Sequence, residues 1–254
     1  MSSFSTPAIM LRRTDFGDYD LIITFFSLSR GKISVIAKSA KKSTKRFSGV
    51  LELFSGLEIV CREPRTKGLP VLEEATLRQP FAGIRADIYK TAYASYWVEL
   101  VQGWIEENEK QVSLYRLLEY VLRQLDVGKV PEAALSVLFQ MRFMRLCGLS
   151  PNLVNCSSCR AEIDQTHKNN LAVDLSKGGI LCSRCVAESP RQMVLSKGTI
   201  KQLIWAESGN IATAGRIRFT PQALKEGQLF LEDFVPFHLG KKPRSLAFLQ
   251  KIRG

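Results

Sequence analysis

Histidine is scarce in this sequence, and it contains no long hydrophobic run. The 254 residues include only two histidines, His167 and His238, which leaves little material for catalysis by imidazole. The longest nearly unbroken hydrophobic run, Leu21–Phe26, is far shorter than the roughly 20 residues that span a bilayer. The N-terminus also lacks the basic and then apolar layout of a secretory signal. We therefore expect a soluble cytoplasmic protein, associated with the nucleoid if it binds DNA.

The motifs of common nucleotide-dependent and hydrolytic enzymes are missing as well. The tripeptide Lys197-Gly198-Thr199 reverses the Gly-Lys-Thr order of a phosphate-binding loop. The sequence has no HExxH, no GxSxG and no dinucleotide-binding fingerprint. It also has no cluster of acidic residues that would hold the metal ions of a nuclease. An enzyme is therefore the weaker hypothesis, and we expect no catalytic residues.

Acidic residues are missing from two long stretches of this basic chain. Lys and Arg number 36 against 24 Asp and Glu, which gives a formal net charge of +12. No acid lies between Asp20 and Glu52, and none follows Asp233. Such a surplus favours a polyanionic partner, with nucleic acid first and an anionic membrane surface second. The candidate DNA-binding residues are Arg13, Arg30, Lys32, Lys38, Lys41, Lys42, Lys45, Arg46, Lys241, Lys242 and Arg244.

The first 80 residues have the pattern of short strands and contain no segment of helical length. A Ser29-Arg30-Gly31 turn between two alternating segments is a hairpin signal. Five strands in this length predict a small closed barrel of the OB type, a frequent oligonucleotide binder, although SH3-like barrels have a similar strand count. The basic run then falls in the loop after the third strand. The predicted strands are Pro7–Arg13, Leu21–Leu28, Lys32–Lys38, Leu51–Cys61 and Leu69–Leu77.

From Phe81 onward the hydrophobic period becomes helical. An aromatic stripe that includes Tyr93 and Trp97 is typical of a packed core rather than of a base-stacking surface. The overall prediction is an α+β protein in which a helical bundle follows the barrel and carries an inserted four-cysteine segment. The predicted domains are 1–79 (OB fold), 80–150 (first part of the helical domain), 151–192 (zinc finger insertion) and 193–254 (C-terminal part of the helical domain).

Two pairs of cysteines form the most specific motif in the chain. Cys156 and Cys159 are separated by two residues, as are Cys182 and Cys185, and 22 residues lie between the pairs. Each short gap lets both sulfurs of a pair reach one ion, and two pairs complete a tetrahedron of thiolates. We predict one structural zinc ion. A rubredoxin-type iron site would use the same ligands, whereas a thioredoxin-like redox site needs only one pair.

Several segments resemble the bacterial recombination mediator RecO family. The resemblance keeps its order over nearly the whole chain, so it is specific as a set although each piece is short. It rests on Arg13-Thr14, Gly17–Asp20, Ile22–Phe26, Gly31-Lys32, Val35–Lys38, Ala40–Ser43, Arg46-Phe47, Gly49, Leu51–Phe54, Gly148–Leu153, Cys156, Cys159, Gly178-Gly179, Cys182–Cys185 and His238–Ser245.

This resemblance implies an N-terminal OB fold, a helical bundle and a zinc finger set into it. It implies binding of single- and double-stranded DNA, ATP-independent annealing of complementary strands, and cooperation with RecR in loading RecA. It also implies binding to the acidic tail of the single-stranded-DNA-binding protein. Three positions depart from the family pattern: Ser39 and Arg160 replace commoner glycines, and Pro243 replaces an aliphatic residue.

A second function fits the same features. An OB barrel combined with a four-cysteine finger would equally suit an RNA-binding or transcription-associated module, because neither part is specific for DNA. Competition between RNA and DNA oligomers separates this hypothesis from the first.

Overall fold

The computed structural model describes residues 2–43, 46–163, 169–186, 193–208, 211 and 218–254. The chain divides into two compact units, one formed by Met1–Val127 with Ala247–Gly254 and the other by Gly128–Leu246. Among the helices described, none is long and apolar enough to cross a membrane. The predicted domain boundaries remain a prediction.

Five strands of the first unit form a closed barrel in the order β1-β2-β3-β5-β4. Neighbouring strands pair antiparallel except β3 and β5, which pair in parallel. The strands are β1 (Ser3–Phe16), β2 (Asp20–Ser27), β3 (Gly31–Ala37), β4 (Gly56–Arg62) and β5 (Val71–Gln79).

Alternation of apolar and polar residues along the strands explains why one face of each strand is buried inside the barrel. Along β3, every second residue from Gly31 to Ala37 is buried, as a period of two residues requires in a half-buried strand. The core that these strands enclose includes Met10, Ile23, Phe25, Val35, Leu57 and Ile59. The predicted start of the fourth strand at Leu51 was wrong, because β4 begins only at Gly56. Leu51 is buried in the core from the preceding loop, so its burial does not reflect strand structure.

Three helices and the C-terminal residues complete the first unit. The helices are α1 (Ala82–Arg85), α2 (Ile88–Trp104) and α3 (Val112–Val127). Asp87 caps α2, because its carboxylate accepts hydrogen bonds from the backbone N–H groups of Tyr89 and Lys90 at 2.8 and 3.2 Å. Tyr93 and Trp97 are buried, as predicted for the aromatic stripe, whereas Tyr89 remains exposed at the beginning of the helix.

The second unit contains α4 (Glu132–Leu146), α5 (Lys197–Glu207), α6 (Pro221–Leu239) and a three-stranded sheet. Its strands pair in the order β7-β6-β8 and are β6 (Asn170–Asp174), β7 (Gly179–Leu181) and β8 (Val194–Ser196). Ser196 caps α5, and Thr220 caps α6 immediately before Pro221. Helix α7 (Arg244–Arg253) ends the chain.

Candidate metal centre and nucleic-acid interface

The four cysteines of the paired motif come together in the second unit, as predicted. The sulfur atoms of Cys156, Cys159, Cys182 and Cys185 all lie within 4.8 Å of one another. The Sγ atoms of Cys159 and Cys182 are 3.6 Å apart. Zn–S bonds of about 2.3 Å place the corners of a tetrahedron about 3.8 Å apart. The sulfur spacing therefore fits one tetrahedral metal ion.

Backbone hydrogen bonds between the loop at Asn152 and the Gly178-Gly179 turn hold the two cysteine pairs close to each other. The backbone N–H of Asn152 donates to Gly178 at 2.9 Å, and that of Ile180 donates to Asn152 at 3.1 Å. A Cβ atom at Gly179 would lie 2.2 Å from the carbonyl oxygen of Asn152, so no larger residue fits there. This close approach places the segment that carries Cys182 beside the loop that carries Cys156.

Backbone donors around Cys156 favour its thiolate. Burial opposes ionisation, but the N–H groups of Cys159, Cys182 and Ser158 prevail and lower the pKa of the Cys156 thiol to about 6. The N–H of Cys182 donates to this sulfur at 3.3 Å. Hydrogen bonds with the sulfurs of Cys159 and Cys182 raise the pKa of the Cys185 thiol to about 11. A bound cation would be needed for all four sulfurs to ionise together.

The donor set supports a structural ion and not a catalytic one. Four thiolates complete a tetrahedron and leave no position for water or substrate. The other two cysteines, Cys61 and Cys147, are separate from the cluster of four. Burial raises the pKa of both thiols to about 12, so both are protonated and unreactive near neutral pH.

The basic run after β3 packs against the turn between β1 and β2. A short 3-10 helix spans Ala40–Lys42. The backbone N–H of Lys41 donates to the carbonyl of Tyr19 at 3.0 Å, and its ammonium lies 3.3 Å from both the Asp15 carboxylate and the Gly17 carbonyl oxygen. The Lys42 ammonium lies 3.3 Å from the centroid of the Tyr19 ring. We refer to Lys38, Lys41, Lys42 and Arg46, which are all exposed, as the basic segment.

Arg46 lies near Lys38 at the end of this segment. Its guanidinium donates to the Lys38 carbonyl at 2.6 Å and lies 4.4 Å from the centroid of the Phe47 ring. Within the described part of the chain, no ion pair is found for Lys38, Lys42 or Arg46. Their charges are therefore available to an external anion. Lys45, which we also predicted as a contact, lies outside the described residues.

Three other candidates on the barrel make contacts within the first unit. Arg30 forms an ion pair with Glu63 at 2.5 Å and lies 3.8 Å from the centroid of the Phe4 ring. The Lys32 ammonium donates to the Gln102 carbonyl at 3.1 Å. The remaining one, Arg13, donates to a backbone carbonyl of the loop before β4 at 3.2 Å.

The C-terminal candidates follow the end of α6. Gly240 ends that helix in the left-handed conformation, with φ of 66°. Lys241 and Lys242 come next and are exposed, and Arg244 is the exposed first residue of α7. These three residues lie within four positions of one another in the sequence.

Two aromatic residues beside the basic segment were not predicted as contacts. Phe16 ends β1 and Tyr19 lies in the following turn, and their side chains are 50% and 46% exposed. The sequence did carry a signal for them. Two aromatics flank a Gly-Asp turn directly before a strand, where the turn itself keeps the side chains away from the core.

Comparison with known proteins agrees with these features. A family model described as the N-terminal part of recombination protein O matches residues 1–81, and one for the C-terminal part matches residues 85–247. A DNA repair protein RecO from Desulfosudis oleivorans is 45% identical over 258 residues, with 100% of this chain and 99% of that protein covered.

Two further relatives carry the same name. The protein from Desulfatibacillum aliphaticivorans is 42% identical over 254 residues, with 100% of this chain and 98% of that protein covered. The protein from Geobacter metallireducens is 33% identical over 254 residues, with 99% of each chain covered. Because the family models and these relatives together account for the full length, this chain belongs to the RecO family of DNA repair and recombination proteins.

Proposed function

We propose that this protein is an ATP-independent recombination mediator. It binds single- and double-stranded DNA, anneals complementary strands and, with RecR, helps load RecA onto DNA coated with single-stranded-DNA-binding protein. Membership of the RecO family over the whole chain is the observation that carries the proposal. Within this proposal, the acidic tail of the single-stranded-DNA-binding protein is a second ligand, and the protein acts in the cytoplasm without any covalent chemistry.

The barrel is proposed to be an OB fold that binds the DNA backbone. Its strand order, with one parallel pair between β3 and β5, supports a Greek-key barrel of this type. The exposed charges of the basic segment support contact with phosphates, which carry no sequence code. Lys241, Lys242 and Arg244 are proposed as a second contact for the other strand or for a duplex. Two cationic regions would screen two strands that otherwise repel each other, while the base edges remain free to pair.

The four-cysteine cluster is proposed to bind one zinc ion that holds the described residues around the two cysteine pairs folded. Thiolate ligands in tetrahedral arrangement select zinc or iron among common metals. Zinc fits a site with no redox role and no open coordination position. Elemental analysis of the purified protein distinguishes the two metals directly.

Annealing of two complementary oligonucleotides tests the proposed function. Each strand is first coated with single-stranded-DNA-binding protein, and no nucleotide is added. We expect the protein to accelerate duplex formation under these conditions. Binding without acceleration would contradict the mediator function, and tighter binding to RNA than to DNA oligomers would favour the RNA-binding alternative.

A charge-matched pair of variants tests the role of the basic segment. Lys38→Ala/Lys42→Ala removes two charges that form no ion pair in the described structure. Each single-strand phosphate contact contributes about −0.7 to the slope of log affinity against log salt concentration, so we expect this slope to become less steep by about 1.4. The control Arg65→Ala/Lys67→Ala removes two exposed charges from the loop between β4 and β5. Equal effects of the two double variants would show that the net charge matters and the basic segment does not.

A further inference from the structure

We propose that Phe16 and Tyr19 stack on the bases of single-stranded DNA and thereby give the surface around the basic segment a preference for single strands over duplexes. This inference rests on the proposed DNA binding by the barrel. Phosphate contacts alone cannot produce such a preference, since both forms of DNA present phosphates. Bases offer their faces to an aromatic ring only when they are not already stacked in a duplex.

The exposure of the two rings is the first observation. Phe16 and Tyr19 are 50% and 46% exposed although only two residues separate them. A single exposed aromatic residue is ordinary on a protein surface. Two of them at one turn, beside three cations with no ion pair in the described structure, form the combination that binds single-stranded nucleic acid.

The position of Lys42 is the second observation. Its ammonium lies 3.3 Å from the centroid of the Tyr19 ring, over one face of that ring. Because the ammonium occupies that face, a base would have to stack on the opposite one. A base that stacks there would complete a sandwich of cation, ring and base, and the same ammonium would lie beside the phosphate of that nucleotide.

The rigidity of the turn is the third observation. The Tyr19 carbonyl accepts a hydrogen bond from the N–H of Lys41 at 3.0 Å, and the carboxylate of Asp20 accepts one from the N–H of Ser39 at 2.7 Å. Lys41 also contacts Gly17 and Asp15 with its ammonium at 3.3 Å. The backbone of the turn is thus held in place before DNA arrives, so stacking requires little ordering of the backbone.

This arrangement has a consequence for annealing. A base that pairs with a complementary strand must leave the aromatic ring and enter the duplex stack. The protein then keeps its phosphate contacts but loses the stacking contacts, and it holds the duplex more weakly than the single strands. Product release would follow from pairing itself and would need no nucleotide hydrolysis.

An abasic oligonucleotide separates stacking from phosphate binding. We would measure the affinity of the full-length protein for a thymidine oligomer and for an abasic oligomer of the same length and charge. We expect the thymidine oligomer to bind about tenfold more tightly, in line with alanine substitutions of stacking residues. In Phe16→Ala/Tyr19→Ala this ratio should fall close to one, while affinity for the abasic oligomer and for duplex DNA stays unchanged.

Two further variants complete the test. Tyr19→Phe keeps the ring and should retain the ratio, and Tyr89→Ala removes an exposed ring from α2, 49% exposed, and should also retain it. A wild-type protein that binds both oligomers equally, or an unchanged ratio in Phe16→Ala/Tyr19→Ala, would overturn the inference. Absence of binding to either oligomer at low salt would instead overturn the proposed function.

Discussion

The four-cysteine cluster and the basic segment each contain several ionisable groups of one kind, but these groups touch one another in the cluster and face water in the basic segment. The sulfurs of the cluster lie within 4.8 Å of one another, and Cys156 and Cys182 are buried. The charges of the basic segment are exposed, and Lys38 and Lys42 have no ion pair in the described structure. Thiolates that lie in contact need a cation to neutralise them, whereas exposed ammonium and guanidinium groups are stabilised by water and remain free to bind an anionic ligand.

This difference separates residues that we expect to maintain the fold from residues that we propose to bind DNA. Loss of a cysteine should destabilise the second unit and leave contacts of the barrel in place. Loss of an exposed lysine should weaken binding and leave the free energy of unfolding nearly unchanged, because surface charges contribute little to stability. The following predictions test whether the two classes of residue are as distinct as this comparison implies.

The largest effect is expected from loss of the metal site. Structural zinc contributes about 10–16 kcal/mol to the folding of zinc-finger peptides. Cys156→Ser should therefore abolish stoichiometric metal binding and expose residues 151–163 and 169–186 to limited proteolysis, while single-stranded DNA still binds to the barrel. Ser183→Ala, which changes an exposed position between two ligands, should behave like the wild type. Retention of the metal by Cys156→Ser would show that Cys156 is not a ligand.

Two glycines of the barrel should differ sharply although both have positive φ. At Gly31, with φ of 69°, a Cβ atom would lie 1.7 Å from the backbone oxygen of Glu109. At Gly17, with φ of 56°, nothing lies within 4 Å. We expect Gly31→Ala to lower the free energy of unfolding by about 4 kcal/mol, from steric overlap and strain together, and Gly17→Ala by about 1 kcal/mol. Chemical denaturation measures both.

Equal losses in the two alanine variants would contradict this expectation. They would indicate that the segment around Glu109 moves away from the hairpin and absorbs the extra methyl group. The β2–β3 hairpin would then belong to the adaptable parts of the barrel and not to its framework.

Glu226 should stabilise the second unit independently of any metal. Its carboxylate accepts hydrogen bonds from the N–H of Ser196 at 2.8 Å, the hydroxyl of Thr199 at 2.5 Å and the amide of Gln222 at 2.7 Å. Burial acts to raise the pKa of Glu226, but these donors prevail and lower it below its ordinary value of 4.5. The stabilisation is therefore present above about pH 4.5 and is lost as the pH falls through the folded-state pKa.

Urea unfolding of Glu226→Gln and the wild type at pH 6 and pH 4 tests this point. We expect the variant to be less stable by about 1 kcal/mol at pH 6, and the difference to shrink at pH 4. Protonation of the cysteines affects both proteins and cancels in the comparison. A difference that grows as the pH falls would contradict the assigned direction of the pKa shift.

The sequence predicted the cysteine cluster because its geometry depends on local spacing. The two residues between the cysteines of each pair fix most of the cluster, and only one long-range contact is then required. Strand positions were predictable for a similar reason, since alternation is a local property. The bounds were less predictable: β1 runs from Ser3 to Phe16 where Pro7–Arg13 was predicted, and Leu51 is buried in a loop although it resembles a strand residue by pattern.

The partners of the basic residues could not be predicted in this way. Lys32 donates to the carbonyl of Gln102, which is 70 residues away, and Arg30 pairs with Glu63. No local pattern indicates which distant carbonyl or carboxylate a long side chain will meet. Charge counts therefore identified the basic stretches of the chain but could not separate the exposed bases from those with internal contacts.

The smallest effect is expected at two positions where a residue other than glycine has a positive φ. Ser39 and Arg160 adopt left-handed conformations, with φ of 54° and 65°, which glycine occupies without strain. The Ser39 side chain makes no capping hydrogen bond to offset this cost. We expect Ser39→Gly and Arg160→Gly each to raise the free energy of unfolding by about 0.5 kcal/mol, because relief of strain exceeds the added entropy of the unfolded chain. Ser39→Ala keeps the strain and should give no gain. Equal stability of Ser39→Gly and Ser39→Ala would show that the hydrogen bond from the Ser39 N–H to Asp20, at 2.7 Å, already determines this conformation whatever the side chain.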